Sequence, residues 1–558
     1  KNTLNDISEM GSGNFSLELL AIQYKINEST EKKASQTFYI FRIRTAYKTK
    51  IRAVSSSELE NFAWVRNTTD GLAYFREKKD YSQFPIYVHQ ILERDINNVK
   101  RETLYELPGW KRINQQWHYV CDQGVIGKPE ITDVRVESDL KFEILKLDKK
   151  SVIRKFLDME NITKRKEISR TLMLFSCMSV MTTLFETSGF PIKSILAVLG
   201  TTNTLKTSTA LVFTKIFNAE ETMSPEVTFS STRSGIETYV AKFQDAILLV
   251  DDFMPGEDKV KQSRLNSKLE LLCRLYGDRT SKKRMTVFSN IKNLEYPVRG
   301  CCMITGEHMT GVTSSQTRIV CVNIEKGDVD KEKLRVYQEK PLILPSFLYG
   351  LIEFLTVNQE KVFEMMRTGM NEYRNDMKFK IARLNESAAH FLVTLDILTE
   401  YFRCEIGIDC EKFKNEWRQN VLNIFYENDR QLANLDVVGE ILQALDEVLL
   451  SRKGEVKPIA EIQRQDMCFA YVDENFIYIQ QKELYIIVKN YCIRYGHDFY
   501  LQRGDLVTKL KEQDVLECVK NSEGHLEAAR KLQQGKGITR RFLYIKRKRM
   551  KEILEKLN

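Results

Sequence analysis

The stretch LAVLGTTNTLKTSTALVFTKIF, residues 196–217, decides the fold prediction. Its apolar beginning predicts a buried strand and its second half a helix, with a short polar loop between them. A loop in this place presents backbone N–H groups and the positive end of the helix dipole to an anion. Gly200, Lys206 and Thr207 fit the phosphate-loop pattern G-x-x-x-x-G-K-[ST], whereas Leu205 stands where a second glycine is usual. The stretch indicates a phosphate site, with an ordinary strand-to-helix turn as the alternative.

The leucine is compatible with a phosphate site because its backbone N–H is retained. Leu205 is tolerable there provided that its φ and ψ stay in a region open to non-glycine residues and that its side chain points into the sheet. Lys206 then supplies a mobile positive charge for the terminal phosphates, and the Thr207 hydroxyl can bind Mg²⁺. The residues predicted to bind the nucleotide in this loop are Gly200, Thr202, Asn203, Thr204, Leu205, Lys206, Thr207 and Ser208.

Two further apolar stretches end in polar residues. DAILLVDDF ends in Asp251 and Asp252; in a Walker B strand the first acid holds Mg²⁺ and the second orients the attacking water. The usual second acid is glutamate, so Asp252 is a shorter base, and a plain acidic turn is the alternative. GCCMITGE places Thr305 and Glu307 at the end of a third strand. Because ligands bind at the carboxyl ends of parallel strands, we expect these side chains to converge with Lys206.

Composition limits the class of protein. The chain has 558 residues, which is too long for one core, so roughly three to five domains are expected. The formal charge of +9 mildly favours polyanionic partners. The 11 cysteines form no C-x-x-C pair, which argues against zinc and a disulfide framework and favours a cytoplasmic location. The most apolar run, residues 172–185, is shorter than the roughly 20 residues that cross a bilayer, so no membrane is expected as a partner.

The order of predicted elements indicates a multidomain α/β protein. Continuous apolar strands that alternate with helices are typical of a parallel sheet covered on both faces. The C-terminal segment has the helix, helix, β-ribbon order of a winged helix. The predicted units are an accessory α+β region (1–98), a strand-rich then helical segment (99–190), the nucleotide-binding core (191–345), a helical lid or linker (346–445) and the winged helix (446–558).

The motifs resemble those of a known family. GTTNTLKTS, TFSSTRSGIETYVAKFQDAILLVDDF, LYGDRTSKKRM and MITGE, with GWKRINQQWHYV upstream, resemble AAA+ helicases of mobile genetic elements. These are related to the minichromosome maintenance (MCM) helicases and include those of staphylococcal cassette chromosomes and pathogenicity islands. The resemblance covers roughly residues 105–400 well, the winged helix loosely and the first hundred residues not at all. MCM helicases carry alanine at the second glycine position, so Leu205 looks like a lineage trait.

The resemblance implies an AAA+ P-loop ATPase core that uses ATP and Mg²⁺. In such a core Thr305 occupies the sensor 1 position and Asp252 and Lys206 take part in catalysis. Arg318 would reach the γ-phosphate bound by a neighbouring subunit, with a surface salt bridge as the alternative. Arg383 lies where related ATPases carry the sensor 2 arginine, with a plain charge at a helix start as the alternative.

The resemblance also implies a hexamer that translocates on single-stranded and forked DNA. The stretch RMTVFSNIKNLEYPVRG is similar to the hairpin that lines the channel, with Lys292 near its tip and Lys282 and Lys283 nearby; a solvated turn is the alternative. On a wing, Arg540 and Lys546 would face nucleic acid or a protein partner.

The implied function is an ATP-dependent, ring-forming DNA helicase that replicates a bacterial mobile element, with other replication proteins of the element as further partners. An ATP-driven initiator or helicase loader and a non-hydrolysing nucleotide-binding module are the alternatives. Polarity of movement, the origin sequence, self-loading and the role of residues 1–98 are not legible in the sequence.

Overall fold

The structure is a computed structural model. It describes residues 12–26, 34–221, 223–254, 259–279, 297–309, 316–407, 411–434, 437–451, 455–462, 468–494, 503–520, 526–532 and 540–557. The chain is a multidomain mixed α/β protein whose described part contains three five-stranded sheets.

The N-terminal sheet has the order β3-β2-β1-β4-β8. Strand β1 pairs antiparallel with β2 and parallel with β4. Both β4 and β8 follow residue 98, so this sheet continues past the predicted boundary of the accessory region. The elements of this part are β1 (Phe15–Ile26), β2 (Ala34–Thr45), β3 (Thr49–Ser55), α1 (Ala63–Thr68), α2 (Lys78–Asp95), β4 (Lys100–Tyr105), β5 (Gly109–Ile113), β6 (Gln116–Cys121), β7 (Gly124–Val125) and β8 (Val134–Val136).

The central sheet is parallel throughout and has the order β10-β11-β12-β9-β13, which confirms the predicted parallel α/β core. All five residues of β9 are buried, as a strand covered on both faces requires. Its elements are α3 (Lys149–Asp158), α4 (Lys166–Ser179), α5 (Thr182–Thr187), β9 (Ile195–Leu199), α6 (Lys206–Thr214), β10 (Val227–Thr228), α7 (Arg233–Lys242), β11 (Ile247–Phe253), α8 (Lys259–Asp278), β12 (Cys301–Gly306) and β13 (Ile319–Asn323).

A run of helices follows the central sheet: α9 (Lys331–Glu339), α10 (Ile343–Val357), α11 (Gln359–Asp376), α12 (Ala382–Ile406), α13 (Glu411–Asn434) and α14 (Val437–Ser451). One core of buried side chains extends from Trp110 to Phe425, so three of the predicted units share their packing. No single helix in the described ranges is long and apolar enough to cross a bilayer; α9 and α10 meet that test only as a pair, bent by 68°.

The C-terminal part has its own core and the sheet order β14-β15-β16-β20-β19. Two helices precede an antiparallel strand pair, which is the predicted order of elements. The strand β20 ends at Lys546 and a helix begins at Arg547. The elements are β14 (Val456–Pro458), β15 (Ala470–Val472), β16 (Phe476–Ile479), α15 (Gln481–Arg494), α16 (Arg503–Glu512), β17 (Val519–Lys520), β18 (Leu526–Glu527), β19 (Ala529–Lys531), β20 (Arg541–Lys546) and α17 (Arg547–Leu557).

A buried carboxylate joins the β5–β6 hairpin to the central sheet. Asp245 accepts hydrogen bonds from the Trp110 N–H (3.0 Å), the Thr183 N–H (2.8 Å) and the Thr183 hydroxyl (2.8 Å). The Tyr119 hydroxyl donates to the backbone oxygen of Asp245 at 3.3 Å. Burial raises the pKa of Asp245 to about 6, and the hydrogen bonds oppose that shift.

The raised pKa of Asp245 predicts how stability depends on pH. The folded state binds this proton more tightly than the unfolded chain, so its stabilising contribution is present below about pH 4 and is lost as pH rises through 6. We expect thermal unfolding at several pH values to show the wild type losing roughly 3 kcal/mol relative to Asp245→Asn across this window. The exposed Asp376→Asn variant is the control; parallel pH curves for the wild type and Asp245→Asn would contradict the assignment.

Candidate nucleotide site

The loop between β9 and α6 lies against the ends of two neighbouring strands. The Gly200 N–H donates to the Gly306 oxygen at 3.1 Å. A Cβ atom on Gly200 would lie 2.5 Å from the Ile324 oxygen and 2.6 Å from the Thr204 hydroxyl, so only glycine fits there. The Thr204 hydroxyl in turn donates to the Thr201 oxygen at 2.8 Å, which closes a turn within the loop. Residues 200–205 are therefore seated at the carboxyl edge of the sheet.

Leu205 has a left-handed backbone, with φ 64° and ψ 22°. This region is uncommon for a residue with a side chain, so the condition that the Leu205 backbone stay in a fully open region is not met. A left-handed conformation costs a non-glycine residue about 1–2 kcal/mol. The Leu205 side chain is half-buried and packs against the main core, as predicted, and this burial offsets the strain.

Two side chains from different elements donate to one carboxylate. The Thr207 hydroxyl, in the first turn of α6, donates to Asp251 Oδ1 at 2.9 Å. The fully buried Thr305 hydroxyl, on β12, donates to the same oxygen. Lys206 is half-buried one residue before Thr207, and its ammonium group has no ion-pair partner in the described ranges. The structure thus brings the loop, the first acid and Thr305 together.

Asp252 sits differently from its neighbour. Its φ is 68°, and the pairing register between β11 and β12 shifts between Val250 and Phe253. The Met254 N–H donates to the Asp252 oxygen at 3.0 Å, which closes a tight turn. Asp252 is exposed, whereas Asp251 is half-buried. The second acid therefore lies at the edge in a strained turn.

Glu307 makes the other carboxylate contact with the loop. The Thr202 hydroxyl donates to Glu307 Oε1 at 2.6 Å, and the Glu307 N–H donates to the Phe253 oxygen at 3.3 Å. The sequence placed Glu307 at the end of this strand but gave it no role. The position of Glu307, an acid directly after a strand that ends beside the loop, was the signal that could have indicated a role for it.

Arg318 lies at the other end of the sheet. It precedes β13, and its backbone oxygen accepts from the Ile195 N–H at the start of β9 (3.0 Å). The five residues of β9 separate Ile195 from Gly200, so the backbone of Arg318 lies roughly 16 Å along the strand from the start of the loop. The guanidinium donates to the Cys273 oxygen at 2.8 Å and lies 3.7 Å from the Asp278 carboxylate. Within one chain Arg318 makes the salt bridge that was the alternative interpretation.

Arg383 is also remote from the loop of its own chain. It is exposed at the start of α12 and donates to the Thr317 hydroxyl at 2.9 Å. Thr317 precedes β13, so Arg383 and Arg318 share the amino edge of the sheet. The structure does not bring Arg383 to the nucleotide loop of the same subunit.

The predicted DNA contacts divide into two groups. Lys282, Lys283 and Lys292 lie outside the described residues. Arg540 is half-buried directly before β20. Lys546 forms ion pairs with Asp514 (2.8 Å) and Glu517 (3.3 Å), whose carboxylates raise the pKa of Lys546. Lys546 is therefore engaged within its own domain.

Comparisons with known proteins add one finding. No protein-family model matches this chain, and no curated protein matches it. A solved structure described as "SCCmec type IV Cch - active helicase" superposes with a TM-score of 0.63 at 11% identity, covering 97% of this chain and 94% of that one. The two chains share a fold. At this identity the likeness concerns architecture alone.

The side chains at the loop suit a nucleotide-bound magnesium ion. Mg²⁺ prefers oxygen ligands and is commonly held by one or two carboxylates together with substrate phosphates. Thr207 and Asp251 supply two such oxygens side by side. No group of three or more His, Cys, Asp or Glu side chains within the described ranges could hold a metal ion by itself. The residues therefore fit a metal that arrives with its phosphates.

The strained leucine gives a direct test of the loop conformation. We expect Leu205→Gly to be more stable than Leu205→Ala by about 1 kcal/mol, because both lose the packing but only glycine relieves the left-handed strain. Chemical unfolding of the two variants measures the difference. Greater stability of the alanine variant would mean that residue 205 is not left-handed.

Proposed function

We propose that the chain is an ATP-dependent, ring-forming DNA helicase that acts in the replication of a bacterial mobile element. The observation that carries this proposal is the convergence of Thr207 and Thr305 on Asp251 beside a phosphate-type loop. In this proposal the central sheet is an AAA+ core and the C-terminal unit is a winged helix. The fold shared with a structure described as an active helicase supports the proposal.

The residues at the loop have separable tasks in ATP hydrolysis. The N–H groups of residues 201–203 and of the start of α6 bind the phosphates, and Lys206 neutralises the terminal ones. Thr207 and Asp251 would hold Mg²⁺, which supplies positive charge for the transferring phosphoryl group. Thr305 fixes the Asp251 carboxylate by donating to it, so the metal ligand is held in place before nucleotide binds.

The position of two arginines supports the proposed ring. Arg318 lies at the amino edge of the sheet, roughly 16 Å from the level of the phosphate loop of its own chain, and Arg383 donates to Thr317 at the same edge. A phosphate contact by either residue therefore requires a neighbouring subunit that presents its carboxyl edge. Head-to-tail contacts form a ring when the rotation between neighbouring subunits closes, and we propose a hexamer of this kind.

The proposed DNA contacts are non-specific. Lysines repeated around a ring bind phosphates without reading sequence, which is the role proposed for Lys292, Lys282 and Lys283. The net charge of +9 suits this role. For the C-terminal unit we propose Arg540 as the DNA or protein contact, whereas Lys546 stabilises the domain through Asp514 and Glu517. Single-stranded and forked DNA and other replication proteins of the element are the proposed partners.

Lys206→Ala tests the motor. We expect ATP hydrolysis to fall by about 10²- to 10³-fold, because a charge that stabilises the terminal phosphates is removed. Forked-duplex displacement should disappear with it, whereas the exposed Lys340→Ala control should keep both activities. ATP hydrolysis without strand displacement by the wild type would favour the initiator or loader. Absence of turnover even with single-stranded DNA would favour the non-hydrolysing binding module.

Mixing two inactive variants tests the shared site. Arg318→Ala keeps an intact loop, and Lys206→Ala keeps an intact arginine. In a ring assembled at random from equal amounts, about a quarter of the interfaces then have an intact loop on one subunit and an intact arginine on the next. We expect ATPase activity to reappear on mixing. Because Arg318 also contacts α8, each variant is first checked for folding by circular dichroism. No recovery from two folded variants would assign Arg318 a structural role alone.

A further inference from the structure

Two carboxylates compete for one task in the proposed reaction. Hydrolysis of ATP needs a group that orients water and accepts its proton as the new bond to the γ-phosphorus forms. The sequence assigned that task to Asp252, the residue after Asp251. Glu307 lies on the adjacent strand end, where its N–H is bonded to Phe253, directly after Asp252. Asp252 directly follows Asp251, and Glu307 lies two residues after Thr305, whose hydroxyl donates to Asp251.

Glu307 is the one that contacts the phosphate loop. Its Oε1 lies 2.6 Å from the hydroxyl of Thr202, in the middle of residues 200–205. A carboxylate placed beside an anion-binding loop repels the phosphates and weakens ground-state binding, so a role in the reaction itself would explain its position there. Glu307 is also half-buried, which strengthens its electrostatic interactions relative to those of an exposed acid.

Asp252 is less suited to the same task. It is exposed, its backbone is left-handed, and in the described ranges its carboxylate has no hydrogen-bond donor that would fix its direction. A base must be held in reach of the water it activates. A short side chain on a strained, exposed turn satisfies this requirement less well than the glutamate held by Thr202.

We propose that Glu307 is the general base of ATP hydrolysis, and this rests on the proposed ATPase function. Its carboxylate accepts a proton from water while the water oxygen bonds to the γ-phosphorus. The bond from that phosphorus to the β–γ bridging oxygen breaks, and ADP leaves with the bonding electrons. The proton then passes from Glu307 to solvent. The Thr202 hydroxyl orients the carboxylate through its hydrogen bond.

Three variants distinguish a base from a residue that only stabilises the loop conformation. In Glu307→Gln the amide oxygen still accepts from Thr202 but cannot act as a base at neutral pH. In Thr202→Val the hydroxyl is lost but the carboxylate remains. Asp252→Asn removes the competing acid. The measurements are kcat for ATP hydrolysis with single-stranded DNA and Mg²⁺, and the Kd of radiolabelled ATP by filter binding.

We expect Glu307→Gln to lower kcat by about 10²-fold or more with an unchanged or lower Kd for ATP, since like-charge repulsion is relieved. Thr202→Val and Asp252→Asn should each lower kcat by less than about tenfold. Equal losses of kcat in Thr202→Val and Glu307→Gln, or a larger loss in Asp252→Asn, would overturn the assignment of Glu307 as the base but leave the ATPase function intact. A wild type without turnover would overturn the ATPase itself, so the two failures are distinguishable.

Discussion

The Asp251 carboxylate is the contact on which the candidate nucleotide site depends. It lies at the end of β11 and accepts from Thr207 on α6 and from Thr305 on β12, so one side chain ties a helix to two strands. Because Thr305 is fully buried, its hydroxyl needs a partner, and Asp251 supplies it. Loss of this acid would remove the acceptor of a buried hydroxyl as well as the proposed metal ligand. The geometry of the site and the packing of the sheet are therefore coupled.

The close approach of three strand ends explains where glycine is required and where it is not. Gly200 and Gly306 each lie where a Cβ atom would meet backbone oxygen at 2.6 Å or less, so no other residue fits without movement. Leu205 has conformational strain but free space for its side chain against the core. Steric exclusion is absolute at this scale, whereas a left-handed backbone costs only about 1–2 kcal/mol, which apolar burial can offset.

The central core explains why the predicted unit boundaries describe the chain only in part. Asp245 bonds the β5 backbone at Trp110 to α5 at Thr183, and both belong to one hydrophobic cluster with the parallel sheet. In the N-terminal part, β4 and β8 join a sheet that begins at residue 15. Sequence patterns report local periodicity and turn residues. Long-range packing decides which sheet a short strand joins.

The sequence by itself determined the parallel sheet, the polar residues at the ends of its strands and the strand, loop and helix at residues 196–217. Long apolar runs have few ways to be buried, and the carboxyl ends of parallel strands meet at one edge. Only the tertiary structure decided that Leu205 is left-handed, that Glu307 reaches Thr202, and that Arg318 rests on α8 at the opposite edge. These outcomes depend on backbone torsions and on contacts between residues far apart in the chain, and local sequence patterns carry no record of either.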